Sequence, residues 1–176
     1  MTDQPEFSRP VRIDSLSEAP RRIAIEADEG EKRALARRFD LAGLDRLTAE
    51  VALSRSEETV TAQGSLSAAV AQSCVVTGEA VETEIAEPFA LSFRPPPEPG
   101  AAEEEVELAE AEMDVIFFEG GNVDIGEAVA QTLSLALDPY PRAPIAEAVL
   151  RDAGVKSEEE AGPFGALAAL RDKMKP

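Results

Sequence analysis

The chain has no histidine, no tryptophan, one tyrosine and one cysteine among its 176 residues. Each scarcity removes a class of chemistry. Without histidine there is no imidazole base, and with Cys74 alone neither the usual His/Cys zinc site nor an intrachain disulfide can be assembled. No apolar run approaches the roughly 20 residues that span a bilayer, and the opening residues lack the basic and apolar regions of a signal peptide. A cytoplasmic protein is expected, with no membrane contact. No nucleophile elbow or Walker loop occurs, and Gly120-Gly121-Asn122 lacks the lysine and the longer glycine pattern of a phosphate cradle. The expectation is a protein that is not an enzyme and uses no cofactor or metal.

Positive charge is also scarce, and locally absent. The net charge is −18, but residues 1–55 are nearly balanced, with 10 Lys+Arg against 11 Asp+Glu. Between Arg94 and Arg142 lie 47 residues without a lysine or arginine, while 12 Asp and Glu fall in the same span. Such a field repels nucleic-acid phosphate and attracts basic partners, so DNA is not an expected ligand. A solvated acidic loop that keeps the protein soluble accounts for the same composition.

What is present suits a folded α+β domain. At 44% hydrophobic content the chain can bury one core. Residues 8–13 and 21–27 read as short strands, the first held to a sheet edge by Pro10. Residues 28–39 read as a helix with acids in its first turn, Arg37 and Arg38 in its last, and Leu35 and Phe39 facing inward. From Leu44 the apolar period becomes two. Leu47, Ala49, Val51 and Leu53, then Val60, Ala62, Leu66, Ala68 and Val70, then Val81, Ile85, Phe89, Leu91 and Phe93 form three rows of an antiparallel meander. Gly64 marks a bulge or a close backbone approach. The expected architecture is an antiparallel β-meander or partly closed barrel-like sheet packed with a few short helices. Residues 113–119 add an apolar strand. Asp124 and Glu127 have capping-box spacing, and Ile125, Ala128, Val129, Thr132, Leu133, Ala136 and Leu137 make one face of a helix that Pro139 ends.

The proline run at 95–97 and the Ala/Glu-rich stretch after it predict a mobile acidic loop over 95–112 within a single domain of residues 1–150. Residues 151–176 read as a linker and a short helical tail whose Phe164, Leu167 and Leu170 dock either on the domain itself or on a partner.

Three segments together resemble one family: residues 72–81 (QSCVVTGEAV), residues 123–127 (VDIGE) opening the helix, and residues 162–170 (GPFGALAAL). Their order resembles the YceD-like family of large ribosomal RNA subunit accumulation proteins. The resemblance implies a small bacterial or plastid protein needed for normal accumulation of the large-subunit ribosomal RNA, with no established catalytic activity. Many members place a second cysteine three positions after the first, which suggests a metal or redox pair. Here Thr77 stands at that position. Cys74 reads either as a small buried hydrophobe or as a reactive thiol.

Two modes of action stay open. In the first, an assembly factor or adaptor in large-subunit biogenesis binds a basic ribosomal protein, or a pre-ribosomal particle, through Glu103, Glu104, Glu105, Glu107, Asp124 and Glu127. In the second, Arg21, Arg22, Lys32, Arg33, Arg37 and Arg38 contact precursor ribosomal RNA directly, although acidic neighbours on the same helix offer these cations local partners. A purely structural or toxin-neutralising acidic protein is the third reading.

Overall fold

The computed structural model describes residues 5–97 and 114–155. They fall into two compact units, the first drawn from Met1–Gln72 and Glu82–Asp138, the second from Ser73–Val81 and Pro139–Pro176. The elements of the first unit follow the apolar periods closely. They are β1 (Pro10–Arg12), β2 (Arg21–Glu26), α1 (Glu29–Arg38), β3 (Gly43–Ser56), β4 (Thr59–Ser73), β5 (Ala80–Arg94), β6 (Asp114–Phe117), β7 (Asn122–Asp124) and α2 (Ile125–Ala136).

The main sheet has the order β2-β3-β4-β5-β6. β2, β3 and β4 pair antiparallel, as the meander requires. β6 departs from that pattern: it lies parallel to β5, with Leu91 opposite Asp114 and Arg94 opposite Phe117. Nor does the sheet close. β2 and β6 are its two edges, and α1 and α2 cover its apolar face instead, so Leu35, Val129 and Leu133 share one core with Leu47, Val51, Leu66 and Phe93. A sheet whose apolar face is buried under helices has no need of a barrel. β1 joins β7 in a separate two-stranded sheet, where Pro10 costs no ladder of the main one.

Gly64 is a close approach rather than a bulge. Its register with Val51 is unbroken, and a Cβ at this position would strike the carbonyl oxygen of Glu50. The irregularity in the hairpin falls instead between Leu44 and Arg46.

Helix α1 begins on a full capping box. Asp28 accepts the amide hydrogens of Gly30 and Glu31, and the Glu31 carboxylate accepts that of Asp28. On α2 the expected box is half made: Asp124 accepts the Glu127 amide at 3.1 Å, but the Glu127 side chain turns elsewhere.

The second unit is a small knuckle. Residues 73–81 turn at Gly78, whose φ of +73° suits a residue without a Cβ, and α3 (Ala146–Asp152) carries Ala146 into a cluster with Cys74 and Ala143. Among the described residues no helix is long and apolar enough to cross a membrane.

Candidate functional site

The sequence 123–127 folds into a clasp that fastens the N-terminal segment to two helices. Asp124, at the start of α2, accepts the Ser8 hydroxyl at 2.5 Å and the Arg9 amide at 2.8 Å besides capping the helix. Gly126 lies under that segment, where a Cβ would overlap the Phe7 carbonyl oxygen and crowd the Arg9 nitrogen. Glu127 takes a two-pronged bond from Arg38 on α1, at 2.7 and 2.8 Å, and a third from Gln131. Arg38 also reaches Glu6 at 2.9 Å. The guanidinium of Arg38 holds the Glu127 carboxyl below the usual carboxylate range, and the carboxylates raise Arg38 in turn.

A second pair completes the clasp. Arg9 places both guanidinium nitrogens on Glu31, at 2.6 and 2.8 Å, donates to the Glu26 carbonyl and stacks over the Phe7 ring at 4.6 Å. Glu31 is thereby lowered too, with Arg9 the largest cause. Bidentate pairs of this kind fix orientation as well as charge.

The six cations expected to contact RNA do not form one surface. Arg38 is committed to Glu127 and Glu6, and Lys32 lies 2.5 Å from Glu29 while donating to the Asp45 carbonyl. Arg22 stands opposite Ala52 on the sheet face away from the core, whereas Arg21 aligns with Ile23 and Ile25 on the helix-covered face. Arg33 and Arg37 are one helical turn apart on α1, exposed and without an ion-pair partner among the described residues.

Of the expected acidic contacts, Asp124 and Glu127 are engaged in the clasp, while Glu103, Glu104, Glu105 and Glu107 lie outside the described residues, as do Phe164, Leu167 and Leu170. Other carboxylates stand open. Glu82, Glu87, Asp114 and Glu119 have no ion-pair partner among the described residues, unlike Glu84, which takes Arg46 at 2.5 Å. Asp114 and Glu119 fall in the acidic span read from the sequence, but none of these four is singled out there as a contact.

In the second unit, Cys74 is 3% exposed, and its sulfur accepts the amide hydrogens of Ala143 at 3.2 Å and Thr77 at 3.4 Å. The Val75 amide donates to the Pro141 carbonyl at 2.9 Å, tying the two loops of the unit together. The bond from Ala143, followed by those from Thr77, brings the thiol down to about 7.

The family model described as large ribosomal RNA subunit accumulation protein YceD matches residues 62–171, more than half of the chain. The chain belongs to the YceD family. Its name links these proteins to the large ribosomal RNA subunit. The matched stretch takes in β5, β6, the Cys74 knuckle and the Asp124–Glu127 half of the clasp; Arg9, Glu31 and Arg38 fall before it. No curated protein and no solved structure matches the chain.

The metal or cysteine pair that the YceD resemblance suggests does not fit this knuckle. The groups aimed at the sulfur are N–H donors, which can serve a thiolate but cannot ligate zinc, and Thr77 offers no second thiolate. Among the described residues no three His, Cys, Asp or Glu come together as a metal would require.

Proposed function

We propose that this YceD-family chain is a non-enzymatic assembly factor for the large ribosomal subunit that binds a basic ribosomal protein. The observation that carries the reading is the set of open carboxylates, Glu82, Glu87, Asp114 and Glu119, within or beside a stretch that lacks any lysine or arginine for 47 residues. A carboxylate already saturated by an internal cation offers a partner little net potential; an unneutralised one offers its full charge. Glu103, Glu104, Glu105 and Glu107 extend the same field along the sequence, whereas Asp124 and Glu127, expected to join it, are engaged inside the clasp. A polyanionic surface would compete with phosphate for a strongly basic protein and keep it from binding RNA at random.

Direct RNA contact is the second reading, favoured by Arg33 and Arg37, which have no ion-pair partner among the described residues. The two separate by charge reversal. Purified from cells, Arg33/Arg37→Glu should retain co-purifying large-subunit precursor particles while Glu82/Glu87/Glu119→Lys loses them; the reverse pattern would establish the RNA reading. Arg38 is left untouched in this test because its loss opens the clasp.

A further inference from the structure

We infer that the outer edge of β6, at Val115 and Phe117, receives an extended segment of a basic protein as an added strand. The inference rests on the basic-partner reading above and deepens it by naming where the partner docks.

β6 is an edge strand with β5 on one side and no strand among the described residues on the other. The Phe118 amide donates to the Arg94 carbonyl at 3.0 Å, which sets the phase of the parallel ladder. The backbone groups of Ile116 therefore face β5, and those of Val115 and Phe117 face outward. No described residue pairs with them. Their side chains are open as well: Val115 is 45% exposed and Phe117 59%, while Ile116 between them packs on the core.

Proteins guard such an edge by keeping the strand very short, as β6 is with four residues, or with lysine, proline, an inward charge or a bulge. The opposite edge of this sheet follows that rule, since β2 carries Arg21, Arg22 and Glu26. β6 reads Asp-Val-Ile-Phe, with an even register against β5 and no charge after its first residue. Unpaired amides beside exposed apolar side chains are the features that strand addition uses, backbone bonds supplying affinity and alternate side chains supplying selectivity.

Charge decides the occupant. Asp114 and Glu119 bracket the strand, and Glu87 lies with Asp114 on a groove that Leu135, 82% exposed, also lines. Arg94, opposite Phe117, is a cation on the same face and donates to the Ser92 hydroxyl at 3.1 Å, but Asp114, Glu119 and Glu87 outnumber it around the strand. A second copy of a chain with net charge −18 is repelled. A segment alternating basic and apolar residues satisfies both the edge and the field.

The test uses the full chain and a labelled nine-residue peptide alternating lysine and valine, with a lysine–glycine peptide of equal charge beside it. Val115→Pro removes an outward N–H and leaves the β5 ladder whole; Phe117→Ser removes the apolar anchor. At near-physiological salt the Lys–Val peptide should bind the native chain more tightly than the Lys–Gly one. Val115→Pro should weaken it about tenfold and Phe117→Ser about fivefold, and hydrogen exchange at amides 115 and 117 of the native chain should slow on binding. If both peptides bind equally, both variants match the native chain and exchange is unchanged, the edge inference falls while the basic-partner reading stands. If neither peptide binds the native chain, both fall. A native dimer that Phe117→Ser turns into monomer would overturn the inference in favour of a second copy. The exchange measurement needs no variant, so a misfolded Val115→Pro does not blunt it.

Discussion

The clasp at the start of α2 and the edge of β6 lie in the same stretch without a lysine or arginine, yet they treat acidic residues in opposite ways. In the clasp every carboxylate has a donor: Asp124 takes Ser8, Arg9 and its own helix, Glu127 takes Arg38, and Glu31 takes Arg9. At the edge, Asp114 and Glu119 have no ion-pair partner among the described residues, and Val115 and Phe117 between them face solvent. The same residue type thus builds structure in one place and holds an external potential in the other. Which role it takes depends on cations delivered from far along the sequence, here residues 9 and 38. Counting acids therefore says little about where a partner binds; the distribution of cations says more.

Substitutions should separate the two regions in steps. The largest effect is expected at Gly126→Ala, whose Cβ would overlap the Phe7 backbone; overpacking that cannot relax should cost about 3 kcal/mol, read from denaturant unfolding. If the loss is under about 0.5 kcal/mol, the N-terminal segment does not lie where the clasp requires. Arg38→Met should cost about 1.5–3 kcal/mol by stranding Glu127. It should also change the acid limb. Glu127 and Glu31 are lowered in the folded chain, so their contribution is complete above the ordinary value of 4.5 and fades as pH falls through their lowered pKa. The native chain should lose stability steeply below about pH 4.5, and the Arg38 variant less so. A pH–stability profile of the two proteins side by side gives the answer.

In the second unit, Cys74→Ala leaves the Ala143 amide without its acceptor, at a cost of about 1–2 kcal/mol, and should speed hydrogen exchange there. Cys74→Ser keeps an acceptor and should cost less. Equal exchange at amide 143 in all three proteins would count against the sulfur as the organiser of the knuckle. The smallest effect belongs to the edge: Phe117→Ser should change stability by no more than about 0.5 kcal/mol, because its ring is mostly in water. A larger loss would place Phe117 in the fold and remove it as an anchor.

Much of the fold was legible in short-range pattern. The alternating rows of β3 and β4, the α2 face and the acids of the first α1 turn all arise from periods within one element, and periodicity reports burial directly. The close approach at Gly64 could be named but not distinguished from a bulge, because a glycine signals room without saying what fills it. The parallel placement of β6 left no trace, since strand direction is set by the chain between strands and not by the strand. The clasp was half visible. Asp124 and Glu127 showed capping spacing, yet Glu127 prefers Arg38, 89 residues away, over the neighbouring amide. A two-pronged ionic bond outcompetes the return bond of a capping box, and nothing local to residues 124–127 announces that competitor. The cation set at 21–38 dispersed for two reasons: Arg21 and Arg22, neighbours on a strand, point to opposite faces, and Lys32 and Arg38 on α1 are taken by acidic partners.

The clasp also has a consequence for the order of events during synthesis. Residues 7–9 leave the ribosome early, but the groups that hold them, Asp124 and Gly126, are 115 or more residues behind. At about 5–20 residues per second the N-terminal segment waits roughly 6–23 s for its anchor. During that interval β2, β3, β4 and α1 can already pair and pack, since their contacts are made with near neighbours. Closure of the clasp is then a late step, and a nascent chain would carry its balanced first third, with Arg38 still unclaimed by Glu127, well before its strongly acidic part exists.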